Sequence, residues 1–465
     1  MDLERVIAAL APRDVVGRAP LDVADLAYDT RAVTPGALFF CVHGANVDGH
    51  ELAPQAVAAG AAALVVERQV DAWVPQIVVA DSRAAMAVAA DVFFGQPTHE
   101  LDVVGVTGTN GKTTTAHLVY SILAAAGRRP GLLGTIEARV GGERRPVVRT
   151  TPEAIDLERT FREMLDVGDR SCAMEASSHA SELHRLDRVR FAALVFTNLT
   201  PDHLDFHGTM ERYYEAKRRL FVGDDAPPAA INLDDPWGRK LAAERPDALT
   251  FGFADEAQIR PDVLDGVELK LRGRFNVENA LGAVAAARIL GIADEAVRSG
   301  LEAVRGVPGR FESVDEGQPF EVIVDYSHTP DSLENALRAA RDLAAAGRVL
   351  CVFGCGGDRD RDKRPLMGRV ASDLADVPIL TTDNPRSEDP LAIIDEVLTG
   401  VSREVEVEPD RRTAIARAVE AAHEGDVVLI AGRGAEPAQE VAGRKLPFDD
   451  RDVAREALRR LQAAA

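Results

Sequence analysis

The residues of this chain best equipped for chemistry begin at a glycine loop. Val103-Val104-Gly105-Val106-Thr107-Gly108-Thr109-Asn110-Gly111-Lys112-Thr113-Thr114-Thr115 reads as a buried strand, a turn of small residues and a helix start. Small residues let backbone N–H groups approach phosphate oxygens, and a helix N-terminus adds partial positive charge. Lys112 is placed to reach the β- and γ-phosphates of a nucleoside triphosphate, and the Thr113 hydroxyl to sit on Mg²⁺. The general loop, G-x-x-x-x-G-K-[ST], has glycine where this chain has Val106. A plain glycine turn is the competing reading, and it leaves the lysine and the hydroxyl run without a role.

Two later segments carry acids and imidazoles at the ends of predicted strands: Glu175-Ala176-Ser177-Ser178-His179, and Thr197 to Gly208 with Asp202, His203 and Asp205. Ligands of open parallel sheets sit beyond the carboxyl ends of the strands, so both segments are expected at the phosphate loop. A carboxylate and an imidazole there suit Mg²⁺ held against phosphates. Alone, His203 beside Asp202 would read equally well as a surface ion pair. Tyr213 to Phe221 reads as a helix, and pattern alone puts Lys217 on a basic solvent face.

These residues need rigid elements behind them, and the composition supplies enough core for several domains. The chain has 465 residues, 46% apolar and 28% charged. From Leu101 onward, buried strands (Val103–Val106, Cys172–Glu175, Ala193–Thr197) alternate with helices following Lys112, Met210 and Asn276, the rhythm of a parallel α/β sheet. A linker is expected at Gly95–Thr98 and a break near Gly306–Gly309, beyond which Phe320–Asp325, Arg348–Phe353, Val377–Thr381 and Val427–Ala431 read as strands. The expected organisation is α/β in three domains, 1–97, 98–308 and 309–465. The net charge of −21 and the low aromatic content, 5%, argue against nucleic acid and anionic membrane as partners. Cys41, Cys172, Cys351 and Cys355 form no disulfide framework, and packing is preferred to zinc for the last two. Two acids within the first five residues do not suit a signal peptide, and no apolar run approaches the ~18 residues of a membrane span. A soluble, cytoplasmic protein is expected.

As an ordered set, the motifs resemble the Mur ligase family across essentially the whole chain. They are G-T-N-G-K-T-T-T at 108–115, E-A-S-S-H at 175–179, T-N-L-T-P-D-H-L-D-F-H at 197–207, Y-Y-E-A-K at 213–217, G-R-F-N-V-E-N-A-L at 273–281, V-P-G-R-F-E at 307–312, D-Y-S-H-T-P-D at 325–331, F-G-C-G-G-D-R-D-R at 353–361 and D-N-P-R at 383–386, with D-T-R at 29–31 and D-G-H at 48–50 near the start. Within the family they are most similar to the ligases that add the third peptide residue to UDP-N-acetylmuramoyl-L-alanyl-D-glutamate. The resemblance implies a UDP-sugar-binding first domain, a central P-loop-type mononucleotide-binding parallel sheet and a Rossmann-like C-terminal domain that takes the incoming amino acid. It implies ATP as co-substrate, bound by Gly108, Thr109, Asn110, Gly111, Lys112, Thr113 and Thr114, with Asn276 and Asn279 near the base and Arg310 and Asp325 closing the site. It implies Mg²⁺ on Thr113, Glu175, His203 and a carbamylated Lys217, which replaces the solvent-face reading of that lysine. Lys112, Glu175, His203 and Lys217 are then the catalytic set. UDP-sugar-peptide contacts are implied at Thr30, Ala45, Asn46, Val47, Thr150, Thr151, Ser177 and Arg185; Thr30 stands where the family usually has serine.

The chemistry implied is attack of a substrate carboxylate on the ATP γ-phosphorus, then capture of the acyl phosphate by an amine. Both first reactants are anionic, so Lys112 and Mg²⁺ must offset the developing charge. In Asp383-Asn384-Pro385-Arg386, the guanidinium is a planar fork for a carboxylate, which suits a diamino acid ending in one better than L-lysine. In the family this arginine marks meso-diaminopimelate users, with Arg359, Asp383, Asn384, Pro385, Gly432 and Glu436 completing the site and Glu436 meeting the distal ammonium. The bland alternative for Arg386 is a loop arginine paired with Glu388 or Asp389. The family usually reads G-K-G-H-E where this chain has Gly432-Arg433-Gly434-Ala435-Glu436, and commonly has glycine where this chain has Asp362. The alternatives are the same ligation with L-lysine or another diamino acid, and a weak paralogue that binds UDP-sugar without turnover. A folylpolyglutamate-type ligase and a P-loop kinase fit less well, lacking a role for D-N-P-R. A monomer acting on small molecules is expected.

Overall fold

The computed structural model describes residues 1–17, 20–44 and 47–464, and it divides into two compact units. One comprises Met1–Thr107, Gly127–Leu194 and Ala216–Pro228; the other comprises Gly108–Ala126, Val195–Glu215 and Ala229–Ala465.

The first unit opens with a five-stranded sheet in the spatial order Asp14–Val16, Gln76–Val78, Ala63–Val66, Ala37–Phe40, Asp25–Ala27. Only the Asp14–Val16 edge is antiparallel. Ala37–Phe40 and Ala63–Val66 are buried at every residue, as strands covered on both faces must be. Helix Ser82–Phe93 starts where the Asp81 carboxylate accepts the N–H groups of Arg83 and Ala84. The expected linker is a turn: Gln96 has φ +57° and Pro97, with its fixed φ, starts a 3₁₀ segment through His99.

A second sheet in this unit places Ser171–Glu175 between Asp102–Thr107 and Pro130–Leu133, all parallel. The register sets Glu175 opposite Val106, at the end of the strand that feeds the phosphate loop. Gly105 is required by packing, because a Cβ there would lie 2.6 Å from the Phe191 ring. The edge continues into the antiparallel strands Ala138–Val140 and Glu143–Arg145.

In the second unit, helix Lys112–Ala125 is buried along most of its length and packs against helices Arg274–Ile289 and Asp294–Ala303. Close approach to the latter depends on Gly300, whose Cβ would fall 2.5 Å from the Ile122 Cα; the Ser121 hydroxyl donates to the Gly300 carbonyl at 2.7 Å. Helix Arg274–Ile289 starts two residues before Asn276, directly after Gly273 at φ +92°.

The unit also holds a six-stranded sheet in the order Glu312–Ser313, Glu321–Asp325, Val427–Ala431, Val349–Phe353, Val377–Leu380, Glu406–Val407, parallel except at the first edge. Helices Pro330–Ala344, Lys363–Leu374 and Pro390–Leu398 share one apolar layer, while Arg411–Ala421 and Asp450–Ala464 share the other. Val427–Ala431, the last parallel strand in sequence, inserts between Glu321–Asp325 and Val349–Phe353. Such a switch in strand order opens a crevice at the carboxyl edge. The segments 326–329, 354–362, 382–386 and 432–436 leave the sheet on that edge. All four cysteines are buried and free, in keeping with packing roles.

Candidate active site

The phosphate loop lies in the second unit and is built by close approach. A Cβ on Gly108 (φ +151°) would fall 1.9 Å from Thr197 Oγ1, and one on Gly111 (φ +84°) 2.2 Å from Asn279 Oδ1. Thr109 N–H donates to Asn198 O at 2.9 Å, and its hydroxyl lies 3.1 Å from both Thr200 O and the Tyr213 hydroxyl. Asn110 N–H donates to Asn198 Oδ1 at 2.8 Å. Lys112 arches back over the loop, with Nζ donating to Gly108 O at 3.0 Å and Thr109 O at 2.7 Å. Thr113 and Thr114 are buried in the first helical turn. Thr115 Oγ1 donates to Asn279 Oδ1 at 3.3 Å, and Asn279 Nδ2 to Asn276 Oδ1 at 3.1 Å, so both asparagines flank the loop.

Segments from the six-stranded sheet reach the same loop. Arg310 Nη2 donates to Thr113 Oγ1 at 3.0 Å, and Asn110 Nδ2 to Asp331 Oδ2 at 2.9 Å. Asp325 holds Arg310 indirectly: its carboxylate accepts the Phe311 N–H at 2.7 Å and the Ser327 hydroxyl. His203, left-handed at φ +55°, is part-exposed with Nε2 3.5 Å from Asp202 Oδ2. His328 Nε2 lies 3.8 Å from the same oxygen, and its Nδ1 is 2.8 Å from the Tyr326 carbonyl. Burial alone would raise the Asp202 carboxyl, but His328, His203 and Lys363 outweigh it and hold the group below the usual carboxylate range. Asp202, His328 and Lys363 thus join the expected His203. His328 was visible only as a member of D-Y-S-H-T-P-D; nothing in its spacing ties it to a residue 126 positions earlier.

At the carboxyl edge of the six-stranded sheet, Asn384 Nδ2 donates to Glu436 Oε2 at 2.7 Å, and the Tyr326 hydroxyl to Glu436 Oε1 at 3.2 Å. Burial, then Asp383, push the Glu436 carboxyl up. Arg386 has φ +51°; its Nη1 donates to Gly357 O at 2.6 Å and its Nε is 3.7 Å from Glu440. The pairing with Glu388 or Asp389 is not what forms: Glu388 binds Arg364, and Asp389 caps the helix at Leu391. Gly356 admits Arg386 and Arg359 side by side, since its Cβ would meet Arg386 Nη1 at 2.9 Å and Arg359 Cγ at 3.9 Å. Gly357 passes so close to Pro385 that a Cβ would fall 2.0 Å from its carbonyl oxygen, and Gly432 does the same to Asp383 Oδ2 at 2.4 Å. Arg433 is buried over the Phe448 ring at 5.1 Å and donates to the Phe448 carbonyl at 3.1 Å, so it props the wall from behind. Asp362 is exposed ahead of helix Lys363–Leu374 and caps nothing, and the structure gives it no role.

The first unit holds Glu175, Lys217 and the expected UDP-sugar contacts. Glu175 is 1% exposed and accepts from Thr135, through N–H at 2.7 Å and Oγ1 at 3.0 Å. Lys217 is 1% exposed, with Nζ 3.4 Å from Thr107 Oγ1; it is a buried residue, and the solvent-face reading is wrong. Tyr213, Tyr214 and Ala216 are buried too, so the apolar stripe of this helix takes the lysine in with it. Thr150 Oγ1 lies 3.0 Å from Thr135 Oγ1, Thr151 Oγ1 donates to Glu175 O at 2.7 Å, and Ser177 N–H donates to Thr151 Oγ1 at 3.2 Å. Arg185 Nη1 donates to Thr151 O at 3.0 Å, which completes this group. Thr30 lies in a 3₁₀ turn capped by Asp29, and its loop is tied to helix Ala154–Asp166 by Tyr28 donating to Asp156 at 2.5 Å. Val47 is exposed; Ala45 and Asn46 lie outside the described residues.

Nearby, His43, Asp48 and His50 group their side chains. The Glu67 N–H donates to His50 Nε2 at 2.9 Å, which leaves the ring proton on Nδ1, facing Asp48 at 2.7 Å. Both ring nitrogens therefore serve the fold.

Family models match three consecutive stretches: Mur ligase family, catalytic domain, at 22–100; Mur ligase middle domain at 106–287; and Mur ligase, glutamate ligase domain, at 309–434. The UDP-N-acetylmuramoyl-L-alanyl-D-glutamate–2,6-diaminopimelate ligase of Geobacillus kaustophilus is 48% identical over 94% of this chain and 95% of its own. The protein of that name from Solibacter usitatus is 45% identical over 99% and 98%. A solved structure of a ligase of the same name superposes with a TM-score of 0.68 at 31% identity, covering 99% of both chains. The α/β fold in three domains expected from the motifs is that of these relatives, and the chain belongs to the Mur ligase family.

Proposed function

We propose that this protein is an ATP-dependent, ADP-forming ligase that joins meso-2,6-diaminopimelate to UDP-N-acetylmuramoyl-L-alanyl-D-glutamate in the synthesis of peptidoglycan precursors. The observation that carries the reading is the pairing at the carboxyl edge of the six-stranded sheet. A guanidinium fork, Arg386, stands two residues from Asn384, whose amide holds the Glu436 carboxylate. Opposite charges so placed suit an amino acid whose far end bears both a carboxylate and an ammonium. Full-length relatives at 48% and 45% identity carrying the diaminopimelate ligase name support it. The domains assigned are 1–97 for the UDP-sugar, 98–308 for ATP and 309–465 for the amino acid.

Each residue group then has work to do. The backbone of Gly108–Thr114 cradles the ATP phosphates, Lys112 leaves its two loop carbonyls for phosphate oxygens, and Asn276 and Asn279 stand by the base. Thr30, Ala45, Asn46, Val47, Thr150, Thr151, Ser177 and Arg185 hold the UDP-sugar-peptide. Arg359, Asp383, Asn384, Pro385, Arg386, Gly432 and Glu436 hold the diamino acid. A substrate carboxylate attacks the γ-phosphorus to give an acyl phosphate and ADP, and the incoming amine displaces phosphate to form the amide. The oxygen-rich donors Thr113 and Glu175, with His203 and Lys217 as its carbamate, suit Mg²⁺, which when bound supplies positive charge to the phosphates. Burial of Lys217 fits a lysine kept for such a modification rather than for solvation. Among the described residues no helix is long and apolar enough to cross a membrane. We assign the protein to the cytoplasm as a monomer.

The test is phosphate release from ATP and Mg²⁺ with UDP-N-acetylmuramoyl-L-alanyl-D-glutamate, run with meso-diaminopimelate, with L-lysine and with neither. Release dependent on diaminopimelate is the expected result. Release with lysine alone would keep the ligase and overturn the reading of Arg386.

A further inference from the structure

Three arginines converge on one buried carboxylate in the first unit. Glu153 is 4% exposed. Its Oε1 lies 2.8 Å from Arg185 Nη2 and 3.4 Å from Arg149 Nη1, and its Oε2 lies 3.3 Å from Arg83 Nη1. All three guanidinium groups share this one carboxylate as their ion-pair partner, and Arg83 and Arg185 hold their charge in a part-buried place, where charge is expensive unless paired. Arg83 belongs to the first turn of helix Ser82–Phe93, and its Nη2 donates to the His43 carbonyl at 3.0 Å. Arg185 binds the Thr151 carbonyl through Nη1, while its Nε is buried and has no hydrogen-bond partner. Glu153 therefore gathers side chains from three separate stretches: the helix that braces the His43 loop, the Arg149–Thr151 segment, and the loop after helix Ser178–Glu182.

We infer that Glu153 is a positioning residue for the oxyanions of the UDP-linked substrate. The inference rests on the reading under Proposed function, in which Thr150, Thr151, Ser177 and Arg185 contact that substrate. Glu153 aligns the Arg185 fork by a charged contact and holds Arg83 against the His43 loop. The gathered guanidinium groups and the unused Arg185 Nε–H then meet an anion. Without the carboxylate, three like charges would separate and the fork would lose its orientation.

The test uses the full-length protein and calorimetric titration with UDP-N-acetylmuramoyl-L-alanyl-D-glutamate. The proteins compared are the wild type, Glu153→Gln, Glu153→Asp and Arg83→Gln, each with its KM for MgATP and its thermal midpoint. Glu153→Gln is expected to weaken binding of the UDP-linked substrate about tenfold or more, with the MgATP KM within about twofold of wild type. Glu153→Asp should recover part of the loss, which general destabilisation would not do. Should Glu153→Gln fail to fold, Arg83→Gln carries the test, with the same selective loss of about threefold to tenfold. Wild-type affinity in a folded Glu153→Gln, or in Arg83→Gln when that variant carries the test, overturns the inference and leaves the ligase reading standing. A wild-type protein that does not bind the UDP-linked substrate overturns both.

Discussion

Arg310 donates from Nη2 to the Thr113 hydroxyl at 3.0 Å while its guanidinium lies over the Tyr326 ring at 4.2 Å. The loop that delivers it is wedged against backbone: Gly309 has φ +62°, and a Cβ there would fall 2.1 Å from the Ala435 nitrogen. The first helical turn after the phosphate loop is thus tied to the start of the six-stranded sheet by one side chain. Arg310→Ala should raise the KM for ATP about tenfold or more, the usual cost of a lost charged hydrogen bond, with a smaller effect on the diamino acid. Steady-state kinetics with each substrate varied in turn check this.

Arg386→Ala should act in the opposite sense. Its guanidinium is anchored by Gly357 O, and its nearest carboxylate, Glu440, stands at 3.7 Å. Removing the fork should raise the KM for meso-diaminopimelate by about 30-fold or more and leave the KM for ATP unchanged. Arg386→Lys should recover little, because an ammonium cannot form the two parallel bonds. Competing rates with diaminopimelate and L-lysine provide the readout.

The raised Glu436 carboxyl predicts a pH dependence. Burial, then Asp383, favour its protonated form above the usual carboxylate range. The ionised form, which attracts a distal ammonium, is present above that raised value and is lost as pH falls through it. The kcat/KM for diaminopimelate should therefore drop on acidification earlier than an ordinary glutamate would allow. Glu436→Gln should be weaker at neutral pH, and this acid limb should vanish. A profile from about pH 5 to pH 8 tests both.

Stability should depend on a buried carboxyl that belongs to none of the proposed sites. Glu158 is 2% exposed, and its Oε2 and the Asp91 Oδ1 have no hydrogen-bond partner. Burial, with Asp91 beside it, raises the Glu158 carboxyl well above its ordinary value. The folded state then holds a proton that the unfolded chain releases above about pH 4.5, so stability falls as pH rises toward the raised value. Glu158→Gln should raise the thermal midpoint at pH 8, by about 1 kcal/mol of stability, and by less near pH 5. Thermal unfolding at the two values is the check.

How much could be read from the chain depended on range. Cys172–Glu175 and Arg348–Phe353 were legible as strands because buried parallel strands are mostly apolar, with a glycine turn before each at Gly168 and Gly347. The phosphate loop was legible because its glycines, lysine and hydroxyls are contiguous. Lys217 was legible only through the resemblance and not from pattern: in a mostly polar helix, a lysine on the buried stripe looks like one on the face opposite, and the packing of Tyr213, Tyr214 and Ala216 shows which face it takes. Glu153 was not legible either. Arg83 lies 70 residues before it and Arg185 32 residues after, and no local pattern links an acid to partners at such separations. His328 and Asp202 meet for the same reason, through sheet topology rather than spacing.

The mass of the product reports which amino acid the enzyme joins. Purified protein would be given ATP, Mg²⁺, UDP-N-acetylmuramoyl-L-alanyl-D-glutamate and equal concentrations of meso-diaminopimelate and L-lysine, with the products analysed by mass spectrometry. The expected product is heavier than the starting nucleotide by one diaminopimelate less water, with ADP formed in equal amount. A lysine adduct as the main product, or ADP formed without any adduct, would overturn the assignment of meso-diaminopimelate as the amino acid joined.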